Sequence, residues 1–222
     1  MIEAIARFFT SNLGNIICCA AIFIYGAYKL TDFYKKNLTI HKELQPVIQH
    51  LQHFETAEEF PENYYEFEDT IKESPLLKSA WREFTEVLIH PGEHPFSDRN
   101  IIVNTKRPQH FFSETSIIKP RINMQLVHSV ANKLTGFGLL GTFVGLVAGI
   151  YLASAGIASN NIEEAKQALS YLLHGASTAF WTSIVGLACS IFFSSTEKRW
   201  THERKQLFDN LNELFEKRLE FL

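Results

Sequence analysis

Hydrophobic and polar positions fall along this chain in long blocks. Three stretches carry no Asp, Glu, Lys or Arg: Phe8–Tyr28, Leu134–Ile162 and Gln167–Thr196. Each is long enough to cross a hydrocarbon core of about 30 Å as a helix. Between the first and second, residues 31–133 have the composition of a soluble domain. The pattern predicts an all-α membrane protein with three transmembrane helices. A helical cytoplasmic domain lies between spans 1 and 2, and the C-terminal helix continues into the cytoplasm as a coiled-coil tail. The predicted segments are an interfacial stretch at 1–12, spans at 13–30, 134–158 and 172–195, the domain at 31–133, a periplasmic hairpin at 159–171 and the tail helix at 196–222.

Finer periodicities fill in the elements. Ile2, Ile5, Ala6 and Phe9 give one face of a short interfacial helix. Leu44, Val47, Ile48, Leu51 and Phe54 recur at helical spacing and predict a helix over 38–54. The stretch from Glu55 to Glu73 is acidic and aromatic, with Pro61 marking a turn. Ser74-Pro75 reads as a helix start, followed by an amphipathic helix carrying Leu76, Leu77, Ala80, Trp81, Phe84, Val87 and Leu88 and ended by Pro91 and Gly92. His90 to Pro108 reads as loop. After the third span, Phe208, Leu211, Phe215, Leu219 and Leu222 repeat close to a heptad, and the pattern runs to Leu222 without a stop signal. That predicts a chain that continues.

Small residues form two helical stripes. In the second span they are Gly138, Thr142, Gly145, Gly149, Ala153 and Gly156, with Gly141 beside them. In the third they are Ala176, Ala179, Ser183, Gly186 and Ser190. Spacings of three and four keep each set on one face, and such faces let membrane helices approach closely. Gly136, Gly138 and Gly141 also spell GxGxxG. A dinucleotide fingerprint needs a strand before it and a helix opening at it. Here a helix-like segment runs into the glycines, so nucleotide binding is not expected.

Basic residues orient the spans. Lys29, Lys35 and Lys36 follow the first, Lys119, Arg121 and Lys133 precede the second, and Lys198, Arg199, Arg204 and Lys205 follow the third. The short connection between the second and third carries Glu163, Glu164 and Lys166. The positive-inside rule then places the N-terminus outside, the 31–133 domain inside, the hairpin outside and the C-terminus inside, which in a bacterial inner membrane are the periplasm and the cytoplasm. The mean hydropathy of −0.04 averages over these blocks and conceals them. A net charge of −3 gives no reason to expect direct nucleic-acid binding. Cys18, Cys19 and Cys189 lie inside apolar blocks and read as buried thiols, not as a disulfide or zinc site.

Candidate chemistry is sparse. The spans hold no carboxylate, and an intramembrane ionisable group is the usual mark of an ion path. His174, at the mouth of the third span, is a candidate relay, although a polar cap is the plainer reading. Thr142 and Ser183 place hydroxyls at mid-depth, with Thr178 and Thr182 on an adjacent face. Hydroxyls donate and accept, so they can line a path whose acid comes from another protein, or simply pack. Glu83 and Glu86 lie three apart on the Trp81 helix. A solvated acidic edge is the plainer reading. A structural Ca²⁺ site is the sharper one, and it needs six to eight oxygens where this pair supplies only its carboxylates. No nucleophile, base and orienting group come together, so an enzyme is the least expected class, and no resident cofactor is expected.

The run Gly138-Leu139-Leu140-Gly141-Thr142-Phe143-Val144-Gly145-Leu146, a short acidic hairpin, and Ala179-Phe180-Trp181-Thr182-Ser183-Ile184-Val185-Gly186-Leu187 resemble the two pore-lining helices of the MotA/TolQ/ExbB proton-channel family. The GTFVGL form, the Phe111-Phe112 stretch and the helical tail resemble its Zorya anti-phage defence branch. The resemblance implies a homopentamer around a dimeric single-span partner. That partner bears an intramembrane Asp and a peptidoglycan-binding domain. Proton flow would turn the ring, and the tail would reach cytoplasmic defence effectors. It also implies that Thr142 and Ser183 stand where the family has pore threonines. Thr178 stands where TolQ and ExbB types carry a glutamate, which leaves the acid role to the partner. A TolQ/ExbB-type energiser of a periplasmic protein and a passive membrane scaffold are the competing readings.

Overall fold

The structure, a computed structural model, describes residues 2–54, 56–92, 100–157 and 161–222. In chain order the elements are α1 (Ile2–Thr10), α2 (Asn12–His53), α3 (Glu59–Glu62), α4 (Tyr64–Glu73), α5 (Lys78–Thr85), β1 (Leu88–Ile89), β2 (Val103–Asn104), a 3-10 turn (Pro108–His110), α6 (Glu114–Ile118), α7 (Met124–Ile157), α8 (Ile162–Arg218) and β3 (Glu220–Phe221). Three helices, α2, α7 and α8, are long and apolar enough to cross a membrane. The chain divides into two units, residues 1–33 with 125–197 and residues 34–124 with 198–222.

The first unit is built from α1, the start of α2, α7 and α8 up to Glu197. Ser11 marks the break between α1 and α2. Its hydroxyl donates to Phe8 O at 2.7 Å and accepts from Gly14 N at 3.0 Å, which satisfies one of the orphan donors of a helix start. Ile22, Val130, Leu134 and Phe193 form the buried cluster, with Tyr25, Val185 and Cys189 around it. The outward faces carry Ile16, Phe23, Leu140, Phe143, Val147, Phe180, Ile184 and Ile191, all exposed. So much contiguous apolar surface suits lipid or other helices, not water.

The second unit has an aromatic core. Trp81, Phe60, Phe67, Phe84, Phe112 and Phe215 are almost fully buried, together with Leu44, Leu51 and Ile71. Phe112 stacks on Phe215 with ring centroids 4.9 Å apart, and Phe84 meets Phe112 edge-on at 5.2 Å. Glu43 accepts from Leu76 N at 2.7 Å and from the Ser74 hydroxyl at 3.2 Å, which fixes the turn before α5. The buried guanidinium of Arg204 is satisfied by Glu114 at 2.8 Å and by Asn37. Asn212 Nδ2 donates to Phe112 O at 2.9 Å and to Phe208 O at 2.8 Å.

Several sequence expectations change. The helix expected over 38–54 is the second half of α2, which runs unbroken from Asn12 with Pro46 inside it. A change of composition marks where a helix leaves an apolar phase, not where its backbone ends. Pro46 omits one backbone bond without stopping the helix. The Glu55–Glu73 stretch is helical as α3 and α4, with Pro61 inside α3 and Glu55 outside the described residues. Helix α5 starts at Lys78 and ends at Thr85, earlier than Pro91 and Gly92. The expected 90–108 loop is flanked and entered by strands. β1 pairs antiparallel with β2, Leu88 opposite Asn104, and β2 pairs parallel with β3, Val103 opposite Glu220. Residues 93–99 of that stretch lie outside the described set, as do 158–160 of the expected hairpin. The rest of the hairpin is already helical from Ile162. The heptad-like face of the tail is used within the chain, where Phe208, Leu211, Phe215 and Leu219 are buried. Helix α8 ends at Arg218 and the chain enters β3.

Candidate functional site

Glycine decides how α7 and α8 meet. A β-carbon on Gly138 would stand 3.1 Å from Thr182 O and 3.2 Å from Gly186 Cα. On Gly145 it would stand 3.0 Å from Gly175 O and 3.1 Å from Ala179 N. On Gly149 it would stand 3.1 Å from Tyr171 O and 3.2 Å from Gly175 Cα. The partners descend along α8 as the glycines climb α7, so the helices are antiparallel and touch backbone to backbone. Small residues permit this approach, and the close dispersion contacts it creates hold apolar helices together where water does not drive them. Of the expected small residues, Gly138, Gly141, Gly145, Gly149, Ala179 and Gly186 all stand in this seam.

Thr142 is half-buried, and its hydroxyl donates to Gly138 O at 3.0 Å. Ser183 is also half-buried, with its Cα 3.3 Å from the β position of Gly138. The structure therefore brings both hydroxyl residues within a turn of the same glycine. Thr178 and Thr182 are buried instead. The Thr182 hydroxyl donates to Thr178 O and Ala179 O at 3.1 Å each, and its Oγ1 would stand 2.6 Å from a β-carbon on Gly141. Thr178 is thus buried one turn before Thr182 on α8. His174 is exposed, its Nδ1 2.8 Å from Ser170 O of its own helix.

Gly175 and Thr182 of α8 also stand in the seam, outside the stripe the sequence predicts. A β-carbon on Gly175 would stand 2.7 Å from Gly145 O. The signal existed: Gly175, Ala179, Thr182 and Gly186 are also spaced by three and four. Glu83 and Glu86 are both exposed, Glu86 just past the end of α5. Among the described residues no three His, Cys, Asp or Glu side chains come together to hold a metal. The pair supplies two carboxylates toward the number calcium requires. What the α7–α8 edge offers chemically is a set of hydroxyls that donate to their own backbone and keep lone pairs free to accept.

The chain is 28% identical over 140 residues to the Zorya protein ZorA of Escherichia coli O139:H28 (strain E24377A / ETEC), a match that covers 62% of this chain and 19% of that protein. The chain therefore spans about a fifth of the length of this relative. The model of the family described as anti-phage protein ZorA of the Zorya type I system matches residues 10–220. With nearly its whole length inside that match, the chain belongs to the ZorA family of Zorya type I anti-phage systems.

Proposed function

We propose that this chain is the ring-forming membrane subunit of a proton-driven rotary motor in anti-phage defence. Five copies surround a dimer of a single-span partner, whose intramembrane Asp carries the proton and whose peptidoglycan-binding domain anchors the dimer. The N-terminus is periplasmic, and the second unit and the C-terminus are cytoplasmic. Rotation or a signal passes along the helix leaving the third span to cytoplasmic effectors.

One observation carries the reading: Thr142 and Ser183 lie half-buried within a turn of Gly138, on a helix pair whose charge-free stretches, Leu134–Ile162 and Gln167–Thr196, hold no carboxylate. Such an edge can pass a proton only if the acid comes from a partner. The tight seam also gives each subunit a rigid wall. One charge falling through 100 mV supplies about 2.3 kcal/mol, enough to bias steps between near-equivalent subunit positions.

The test is co-purification of this chain with the product of its neighbouring gene, followed by the mass of the complex. Five copies with two of an Asp-bearing single-span protein support the motor. Alanine at Thr142 or Ser183 should abolish phage protection at normal protein levels. A packing-only scaffold draws on the Thr142 hydroxyl bonding back to Gly138 O. It predicts that both alanine variants protect fully, and that outcome would sink the pore-lining roles.

A further inference from the structure

We infer that His128 and Glu197 form the proton-releasing pair of this channel, reached along a ladder of hydroxyls on one edge of the α7–α8 seam. The inference rests on the proton-channel reading above. Glu197 is buried, 4% exposed, and its Oε1 lies 3.2 Å from Nδ1 of His128. The imidazole side chain is 59% exposed, so the pair joins a buried carboxylate to solvent. Lys198 and Arg199 adjoin Glu197 in sequence, yet its ion-pair partner is an imidazole from the other helix, and Arg199 pairs with Glu203. Among the described residues neither His128 nor Glu197 enters another ion pair. A Lys or Arg would serve a static ion pair as well. Only imidazole takes up and releases a proton freely near neutral pH.

The position of the pair is the stronger argument. On α7, Thr142, Thr135 and His128 are spaced by seven residues. On α8, Ser183, Ser190 and Glu197 are spaced by seven in the opposite direction. Seven residues make nearly two helical turns, drifting about 20°, so each trio keeps one face. The seam sets the register, Gly138 against Gly186 and Gly145 against Ala179. That register puts Thr142 level with Ser183, Thr135 level with Ser190, and His128 level with Glu197. All four hydroxyl residues are half-buried. Thr142 and Thr135 donate to Gly138 O at 3.0 Å and Ala131 O at 3.2 Å, which leaves their oxygens as acceptors. Rungs stand about 10.5 Å apart, a gap that short files of water bridge.

The transfer is a balanced relay. A proton leaving the partner's Asp passes rung to rung and forms an O–H bond on the Glu197 carboxylate. That bond breaks as Nδ1 of His128 takes the proton. The imidazolium then releases its Nε2 proton to solvent, and proton exchange with water returns the neutral ring to its Nε2–H tautomer, with Nδ1 again free to accept from Glu197. Nothing is oxidised or reduced.

The test uses the complete complex with its partner, reconstituted into liposomes and read with an entrapped pH dye under an imposed potential. Wild-type complex should conduct protons. Glu197→Gln and His128→Gln should each lower flux by about tenfold or more with unchanged thermal midpoints, and Glu197→Asp should restore part of it. Unchanged flux in both glutamine variants overturns the inference while leaving the channel intact. No flux from the wild-type complex overturns the channel reading, and this inference with it. If Glu197→Gln fails to fold, the double variant Thr135→Val, Ser190→Ala decides, because it breaks the middle rung far from the ion pair. Flux equal to wild type there overturns the ladder, and a loss with normal stability supports it.

Discussion

Replacing Gly186 by alanine tests the seam where a new β-carbon meets only the backbone of α7. The new β-carbon would lie 2.8 Å from Gly138 Cα, 2.8 Å from Leu134 O and 3.0 Å from Gly138 N. All three are backbone atoms of α7, so no side-chain rotation relieves the clash. Ordinary contact begins near 3.4 Å, and the helices must part by about 0.6 Å. A gap of that size forfeits roughly a quarter to a half of each dispersion contact it opens. Because both helices are stiff, the gap extends toward Gly145–Ala179 and Gly149–Gly175. The expected cost is about 1–3 kcal/mol, offset by up to about 1 kcal/mol of improved helix propensity. Gly136→Ala is the internal control, since a β-carbon there meets nothing within 4 Å. It gains the propensity and loses no contact. Thermal unfolding of the detergent-solubilised chain should show Gly186→Ala falling by about 2–4 °C for each net kcal/mol, and Gly136→Ala level with wild type or above it. Equal behaviour of the two variants would refute the claim that backbone contact between α7 and α8 holds this unit together.

Two more expectations concern the second unit. Arg204→Ala leaves Glu114 and Asn37 without their buried donor and should cost about 3–5 kcal/mol in denaturant unfolding, with a mid-point loss far larger than for Lys217→Ala, whose bond to Glu213 at 2.7 Å is exposed. Burial, reinforced by Glu68 and Tyr65, pushes the Tyr64 hydroxyl up to about 12. The unfolded chain ionises this phenol near 10, so its contribution to stability is intact below that pH and is lost as pH rises toward 12. Tyr64→Phe should remove a step near pH 12 from a spectrophotometric tyrosine titration and flatten the alkaline fall in stability. Persistence of that step would reassign it.

How much of this was legible in the sequence follows from the range of the forces involved. The three spans are legible because desolvating a charge is so costly that a charge-free run of this length marks a membrane helix. The small stripe of α7 is legible because Gly138, Gly145 and Gly149 keep one face between Leu139, Leu140, Phe143, Leu146 and Val147. The matching stripe of α8 is ambiguous for a physical reason: Gly175 and Ala176, and again Thr182 and Ser183, are adjacent small residues. A helix face wide enough to hold either member of each pair gives two near-equivalent stripes. Only the partner's approach selects the set Gly175, Ala179, Thr182 and Gly186, and that leaves Ser183 at the edge. The strands are illegible because two-residue segments have no period, and β2 meets β3 across more than a hundred residues of chain. The fate of the tail face was hidden likewise. An amphipathic stripe records that something covers it and not what. Here the cover is the chain's own aromatic core at Trp81, Phe84 and Phe112, supplied by segments whose short helices and Pro-marked turns obscured their shared apolar face. The His128–Glu197 pair belongs to a third kind. Each residue alone reads as a polar end of a span, and the pairing emerges only once the antiparallel register is known. That register was itself encoded, in Gly138, Gly145 and Gly149, which meet the backbone of α8.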